Sequence, residues 1–237
     1  FKDNLPFKLT NAQERTIKEI SDDISLAKPM RRLVQGDVGS GKTVVAAVSM
    51  YISAKNNTQS VLLCPTEVLA EQHFKNFSAW FKNSNIKIEL LTGKMPVSKR
   101  RGIYQDLEDG VIDILIGTHA VFQDKVKMKN LGLVVVDEQQ RFGVKQRFDL
   151  VKKSSNQIMP HQLFMTATPI PRTLAMTIFA DLETSKIDEL PPGRKPVETL
   201  VYSDKKKDEI VKRLETVCKS GNQVFWLCTM IEESENL

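Results

Sequence analysis

Cysteine, histidine and long apolar runs are all scarce in this 237-residue sequence. The three cysteines, Cys64, Cys218 and Cys228, form no Cys-x-x-Cys pair and no spaced framework. That excludes a disulfide-stapled scaffold and reads them as reduced core residues of a cytoplasmic protein. The three histidines, His73, His119 and His161, lack metal-ligand spacing, which argues against a zinc site. No apolar run approaches the ~20 residues of a membrane span, so no membrane partner is expected. Internal repeats and low-complexity segments are absent as well. The opening Phe1-Lys2-Asp3-Asn4 lacks both Met and the features of a signal peptide, and reads as the interior of a longer chain.

What is present is ordinary in bulk. At 41% hydrophobic and 27% charged, the chain suits one large domain or one and a half smaller ones. A net charge of +5, with an isoelectric point near 9.0, fits a polyanionic partner and fits an ordinary basic surface equally well.

The informative stretch is Gly36-Asp37-Val38-Gly39-Ser40-Gly41-Lys42-Thr43, which satisfies G-x-x-x-x-G-K-[ST] at every fixed position. Gly36, Gly39 and Gly41 let backbone N–H groups approach a phosphate chain, and the helix that follows points its N-terminus at the anion. Lys42 is placed to neutralise β- and γ-phosphates, and Thr43 offers a hydroxyl to Mg²⁺. Leu33-Val34-Gln35 reads as a strand before the loop and Val44 to Ala54 as a buried helix after it. Upstream, Thr10 or Asn11 caps a helix on which Ile17, Ile20 and Ile24 recur at helical spacing, with Glu14 in its first turn. Gln13, on that helix, carries an amide able to donate to and accept from an adenine edge; a surface glutamine is the plainer alternative.

From Ser60 onward strand and helix alternate. The strands read as Val61–Cys64, Ile86–Leu91, Ile112–Ile116, Leu133–Val136 and Leu163–Met165, each ending in a polar cluster. Continuous apolar runs of this kind suit strands covered on both faces, and the rhythm predicts an α/β fold with a mostly parallel sheet and helices on both sides. Ligands of such sheets bind beyond the carboxyl ends of the strands. Asp188 to Pro196 reads as a stiff, proline-rich linker, followed by a strand (Val197–Tyr202), a helix (Lys205–Cys218) and a strand (Gln223–Cys228) that open a second α/β domain.

Val134-Val135-Val136-Asp137-Glu138 supplies what the loop lacks. An acid at a strand tip suits Mg²⁺, and the next acid suits orienting and deprotonating an attacking water. Phosphoryl transfer demands chiefly positioning and charge neutralisation, so Lys42, Thr43, Asp137 and Glu138 suffice to expect ATP hydrolysis.

The ordered set Gln13, Gly36–Thr43, Pro65-Thr66-Glu67-Val68-Leu69-Ala70, Gly117-Thr118-His119, Asp137-Glu138-Gln139-Gln140 and Thr166-Ala167-Thr168-Pro169 resembles the first motor domain of a superfamily 2 helicase. Arg141-Phe142-Gly143-Val144, Pro169 to Ala175, Ile187 to Pro196 and Ile231 to Glu235 narrow the resemblance to the bacterial ATP-dependent DNA helicases that remodel stalled replication forks. Transcription-repair coupling translocases resemble residues 36–175 almost as well. The resemblance implies a RecA-like P-loop NTPase domain over residues 1–187, a linker over 188–196 and the beginning of a second RecA-like domain over 197–237. It implies ATP and Mg²⁺ as cofactors and branched or forked duplex DNA as partner. Oligomeric state is not legible, and a monomer is the default expectation.

The resemblance also implies roles residue by residue. Gln13 reads adenine with Phe7 near the base; Thr66, Thr118 and His119 face nucleic acid, with charge added by Lys94 and Arg141; Thr166 and Thr168 link nucleotide state to DNA grip. Members usually carry His at the fourth position of the acidic box, where this chain has Gln140, which keeps hydrogen-bond capacity but takes no positive charge. The family's wedge domain and arginine finger lie outside the matched stretch. The expectation is therefore a chain that binds ATP weakly and hydrolyses it poorly, since such a finger is worth about 10³–10⁵ in rate. A P-loop small-molecule kinase does not account for the Thr-Ala-Thr-Pro segment or the linker. A non-catalytic binding module does not account for an intact Lys42 and Glu138.

Overall fold

The computed structural model describes residues 5–138, 159–168, 182–191, 193 and 197–227. In chain order the elements are α1 (Asn11–Ile24), β1 (Arg31–Gly36), α2 (Lys42–Lys55), β2 (Gln59–Leu63), α3 (Glu67–Trp80), β3 (Ile88–Leu91), α4 (Val97–Glu108), β4 (Ile114–Gly117), a 3-10 turn (His119–Phe122), β5 (Leu131–Val136), β6 (His161–Thr166), β7 (Glu183–Ile187), a second 3-10 turn (Asp204–Lys206) and α5 (Lys207–Lys219). The chain divides into two units, Phe1–Arg194 and Lys195–Leu237.

Among the described residues of the first unit, seven strands form one parallel sheet in the order β3-β4-β2-β5-β6-β1-β7. The apolar strands are continuous runs because both faces are covered. Val34, Leu62, Leu133, Val135, Leu163 and Met165 pack on the side of α1, α2 and α3. Leu33, Val61, Leu63, Val134, Val136 and Phe164 pack on the other, with Ile103 and Leu107 of α4. Alternation of side chains along each strand produces this division.

Local chemistry fixes the element ends. The Thr10 hydroxyl accepts from the Gln13 N–H at 3.2 Å while Gln13 Oε1 accepts from the Thr10 N–H at 2.9 Å, a capping box that starts α1. Buried Arg32 of β1 donates to Asp23 Oδ2 at 2.7 Å and Glu19 Oε2 at 3.3 Å on α1, and to Ser185 Oγ at 2.8 Å on β7. The guanidinium thus enters the interior with its donors matched. β7 was not foreseen. Its sequence, Glu-Thr-Ser-Lys-Ile, holds no apolar run, because an edge strand keeps polar side chains outward and here buries only Ser185 and Ile187.

Two expectations for the second unit are corrected. Residues 197–202 and 223–227 form no strand, although α5 is present much as predicted. A strand needs a hydrogen-bonded neighbour, and among the described residues this unit supplies none; Val201 is 94% and Leu227 95% exposed. Cys218 is exposed rather than core, since α5 buries no residue, whereas Cys64 is buried as expected. Cys228 lies outside the described residues.

At Gly117 a Cβ would meet the Leu91 carbonyl oxygen at 2.5 Å and Val121 Cγ2 at 2.6 Å. The oxygen belongs to the neighbouring strand backbone and has no room to yield. Gly117→Ala is expected to cost about 1–3 kcal/mol, read as a lower urea midpoint at unchanged slope.

Candidate functional site

Sheet topology assembles the site. The chain lays down β1, passes through α2 to β2, and later inserts β5 and β6 between the two. The glycine-rich loop after β1 and the acids after β5 therefore end up on either side of the β6 tip. With neighbouring strands 4.7–4.9 Å apart, β1 and β5 lie roughly 10 Å from each other. Order reversal of this kind marks the crevice where open α/β sheets take ligands.

The loop is tightly wound. Gly39 and Gly41 adopt positive φ, 76° and 88°, and Gly41 is the residue from which α2 springs. A Cβ on Gly41 would overlap the Gln13 amide, and one on Gly36 would meet Ser40 Oγ at 2.5 Å. The glycines are thus required by the packing of the loop on itself and on α1. Lys42 Nζ donates to the Gly36 carbonyl at 2.6 Å and the Asp37 carbonyl at 3.1 Å, folding the ammonium back across the loop. Burial pushes that ammonium below the ordinary lysine range; Glu138, Asp137 and Asp37 pull it the other way. The lysine and the acidic pair therefore lie close enough for their charges to act on one another. Among the described residues Ser40 Oγ is buried without a hydrogen-bond partner. A cation folded onto backbone carbonyls and such a hydroxyl, at the N-terminus of a buried helix, fit a phosphate-bearing ligand.

Asp137 is buried at the β5 tip. Its N–H donates to the Leu63 carbonyl at 2.9 Å, and its Oδ2 lies 3.0 Å from His73 Nε2 on α3. Glu138 follows with φ 49°, a left-handed conformation that few non-glycine residues adopt and that collects at functional sites. Burial, and to a lesser degree Asp137, push the neighbouring Cys64 thiol far up, so it is no nucleophile. Thr166, fully buried at the β6 tip, shares a 2.9 Å hydroxyl contact with Thr168, whose carbonyl accepts from Gln35 Nε2 at 3.3 Å. The two threonines thus cap the strand end and tie it to β1.

Beside the loop opens a cavity of about 480 Å³ lined by Phe7, Lys8, Gln13, Gly41, Thr43, Val44, Trp80 and Pro191. Phe7 meets Trp80 edge-on at 5.9 Å. Gln13 Nε2 donates to the Ser40 carbonyl at 2.8 Å while its Oε1 takes the Thr10 N–H, so this amide connects α1 to the phosphate-type loop. Trp80 and Pro191 were not singled out from sequence, and His73 was noted there only as lacking metal-ligand spacing. Glu189 accepts from the Ala12 N–H at 3.1 Å and Asp188 pairs with Arg15 at 2.8 Å, which brings Pro191 to the cavity.

The remaining predicted residues stand further along the same edge. Thr66 caps α3 after β2, accepting from the Leu69 N–H at 3.3 Å. Lys94, beyond β3, pairs with Glu67 at 2.9 Å while its side chain stays 88% exposed, so its ammonium can exchange to another anion. Thr118 is buried after β4, and exposed His119 begins the 3-10 turn that follows. Gln140 and Arg141 lie outside the described residues, as do the Arg141–Val144, Pro169–Ala175 and Ile231–Glu235 segments.

Comparison with known proteins identifies the family and the fold. Residues 10–177 match the DEAD/DEAH box helicase family. The chain is 51% identical over 235 residues to the ATP-dependent DNA helicase RecG of Aquifex aeolicus, covering 99% of this chain and 30% of that protein. It is likewise 51% identical over 235 residues to RecG of Escherichia coli K12, covering 98% and 34%. The chain thus spans about a third of the length of these relatives. Among solved structures, RecG bound to a three-way DNA junction superposes with a TM-score of 0.81 at 41% identity, over 92% of this chain and 29% of that one. A DEAD-box helicase bound to ssRNA and UDP-BeF superposes at 0.66 with 20% identity, over 90% and 47%, a likeness of fold alone. The first unit has the RecA-like helicase fold, as the sequence resemblance implied.

Gly41→Ala combines left-handed strain with displacement of Gln13. It is expected to cost about 1–3 kcal/mol of stability and to weaken binding of a fluorescent nucleotide at least about tenfold, both measured on the same preparation.

Proposed function

The chain belongs to the DEAD/DEAH box helicase family, and from that premise we propose that it is the ATP-binding lobe of a DNA-translocating helicase of the RecG kind, acting on branched or forked duplex DNA in recombination and repair. The observation that supports the reading is that the glycine-rich loop after β1 and the acids after β5 are delivered to one sheet edge, on either side of β6. In this reading residues 1–187 are the motor lobe, 188–196 the linker and 197–237 the start of a second lobe. A transcription-repair coupling translocase is the alternative; identity to RecG relatives over nearly the whole chain favours the first.

The residues act together as follows. The loop N–H groups and Lys42 receive the triphosphate, and Gln13, Phe7 and the cavity beside them receive the base. Thr43 and Asp137 would hold Mg²⁺, which when bound neutralises β- and γ-oxygens. Among the described residues no cluster of three or more His, Cys, Asp or Glu forms a metal cage. A Mg²⁺ that takes most of its ligands from phosphates and water needs none. Glu138 accepts the proton of the attacking water, and Gln140 stands beside it in sequence. Thr166 and Thr168, at the strand between loop and acids, relay the state of the phosphates. Thr66, Thr118, His119, Lys94 and Arg141 grip DNA phosphates without reading bases.

Lys42→Ala is expected to abolish fluorescent-ATP binding, whereas Glu138→Gln retains binding and loses steady-state ATPase. Loss of binding in both variants, or turnover surviving in Glu138→Gln, would overturn these roles. DNA affinity is expected to fall steeply and linearly with log salt and to vary little with base sequence, measured by anisotropy on junction oligonucleotides.

A further inference from the structure

His73 stands on α3, 6% exposed, with Nε2 3.0 Å from Asp137 Oδ2. Its Nδ1 is buried and has no hydrogen-bond partner among the described residues. A proton on Nε2 aims a donor at the carboxylate and leaves Nδ1 to its lone pair, which matches both observations. Phe77 meets the ring edge-on at 6.2 Å. One carboxylate oxygen of Asp137, Oδ2, is thereby committed to His73.

We propose that His73 is a positioning residue: by donating from Nε2 to Asp137 Oδ2 it presents Oδ1 of that carboxylate to the magnesium of a bound nucleotide. The inference rests on the nucleotide reading above. Hydrogen-bonding partners of carboxylate ligands tune metal affinity by orienting the oxygen that binds. The same helix begins at Thr66 and at Glu67, which pairs with Lys94. His73 lies about 10 Å along the axis from that end, at 1.5 Å per residue. The bond therefore joins the segment assigned to DNA to the carboxylate assigned to the metal.

The test uses the whole chain and three variants, His73→Ala, His73→Asn and His73→Gln. Gln carries an amide donor to nearly the Nε2 position, and Asn stops short of it. The readouts are Mg²⁺ titration of fluorescent-ATP binding and the electron paramagnetic resonance of Mn²⁺ bound with ATP, with thermal melts confirming the fold. We expect His73→Ala and His73→Asn to weaken apparent metal affinity about 10–100-fold, to alter the Mn²⁺ spectrum and to leave metal-free nucleotide affinity unchanged. His73→Gln is expected to restore most of the loss. Metal affinity unchanged in His73→Ala, or lost equally in His73→Gln, overturns the proposal while leaving the nucleotide site standing. Nucleotide binding by the unaltered chain that ignores both metals removes the premise and the proposal with it.

Discussion

Phe164 is in register with Leu33 on one side and Val136 on the other, so β6 carries β1 and β5 in a single parallel ladder. Because the three strands run the same way, their carboxyl ends stop at one edge, and whatever follows each strand is delivered to that edge. After β1 comes a loop that donates N–H groups and a lysine; after β5 come two acids; after β6 comes a buried threonine. Each feature alone is a common turn. Only the ladder makes them one site, and the register limits how far the lysine stands from the acids.

The same parallelism orders the rest of the edge. β2, β4 and β3 continue outward from β5 and end at Thr66, at Thr118 and next to Lys94. The half assigned to nucleotide and the half assigned to DNA therefore share one sheet, with β5 and β2 as the seam. Helix α3 opens at Thr66 after β2, packs along β3 and β4, and places His73 against Asp137. Rigid elements fixed at both ends suit the coupling of two ligands, since a shift at one end has to be accommodated at the other.

Much of this was legible in the primary structure. The apolar runs marked six of the seven strands because a doubly covered strand tolerates no other composition. The glycine-lysine-threonine spacing and the Asp137-Glu138 pair already pointed to the nucleotide reading proposed above. What escaped notice escaped for identifiable reasons. β7 earns its place through Ser185, Ile187 and the Arg32 network rather than through a hydrophobic run. His73, Trp80 and Pro191 take their meaning from partners far along the chain. The predicted strands of the second unit failed because apolar sequence confers only a preference, and a strand exists only when another strand completes its hydrogen bonds.

The sequence by itself determined the inventory: a glycine-rich loop ending in Lys42 and Thr43, an acidic pair after an apolar run, and an α/β alternation able to bury itself in two layers. These are local properties, set by spacing along one segment. Tertiary structure alone decided the adjacency: that β5 and β6 enter between β1 and β2, that Gln13 reaches the Ser40 carbonyl, and that His73 holds one oxygen of Asp137. The physical reason is that distance in space depends on strand order and register. Those are selected by the packing and hydrogen bonding of the whole sheet, and no single segment encodes them.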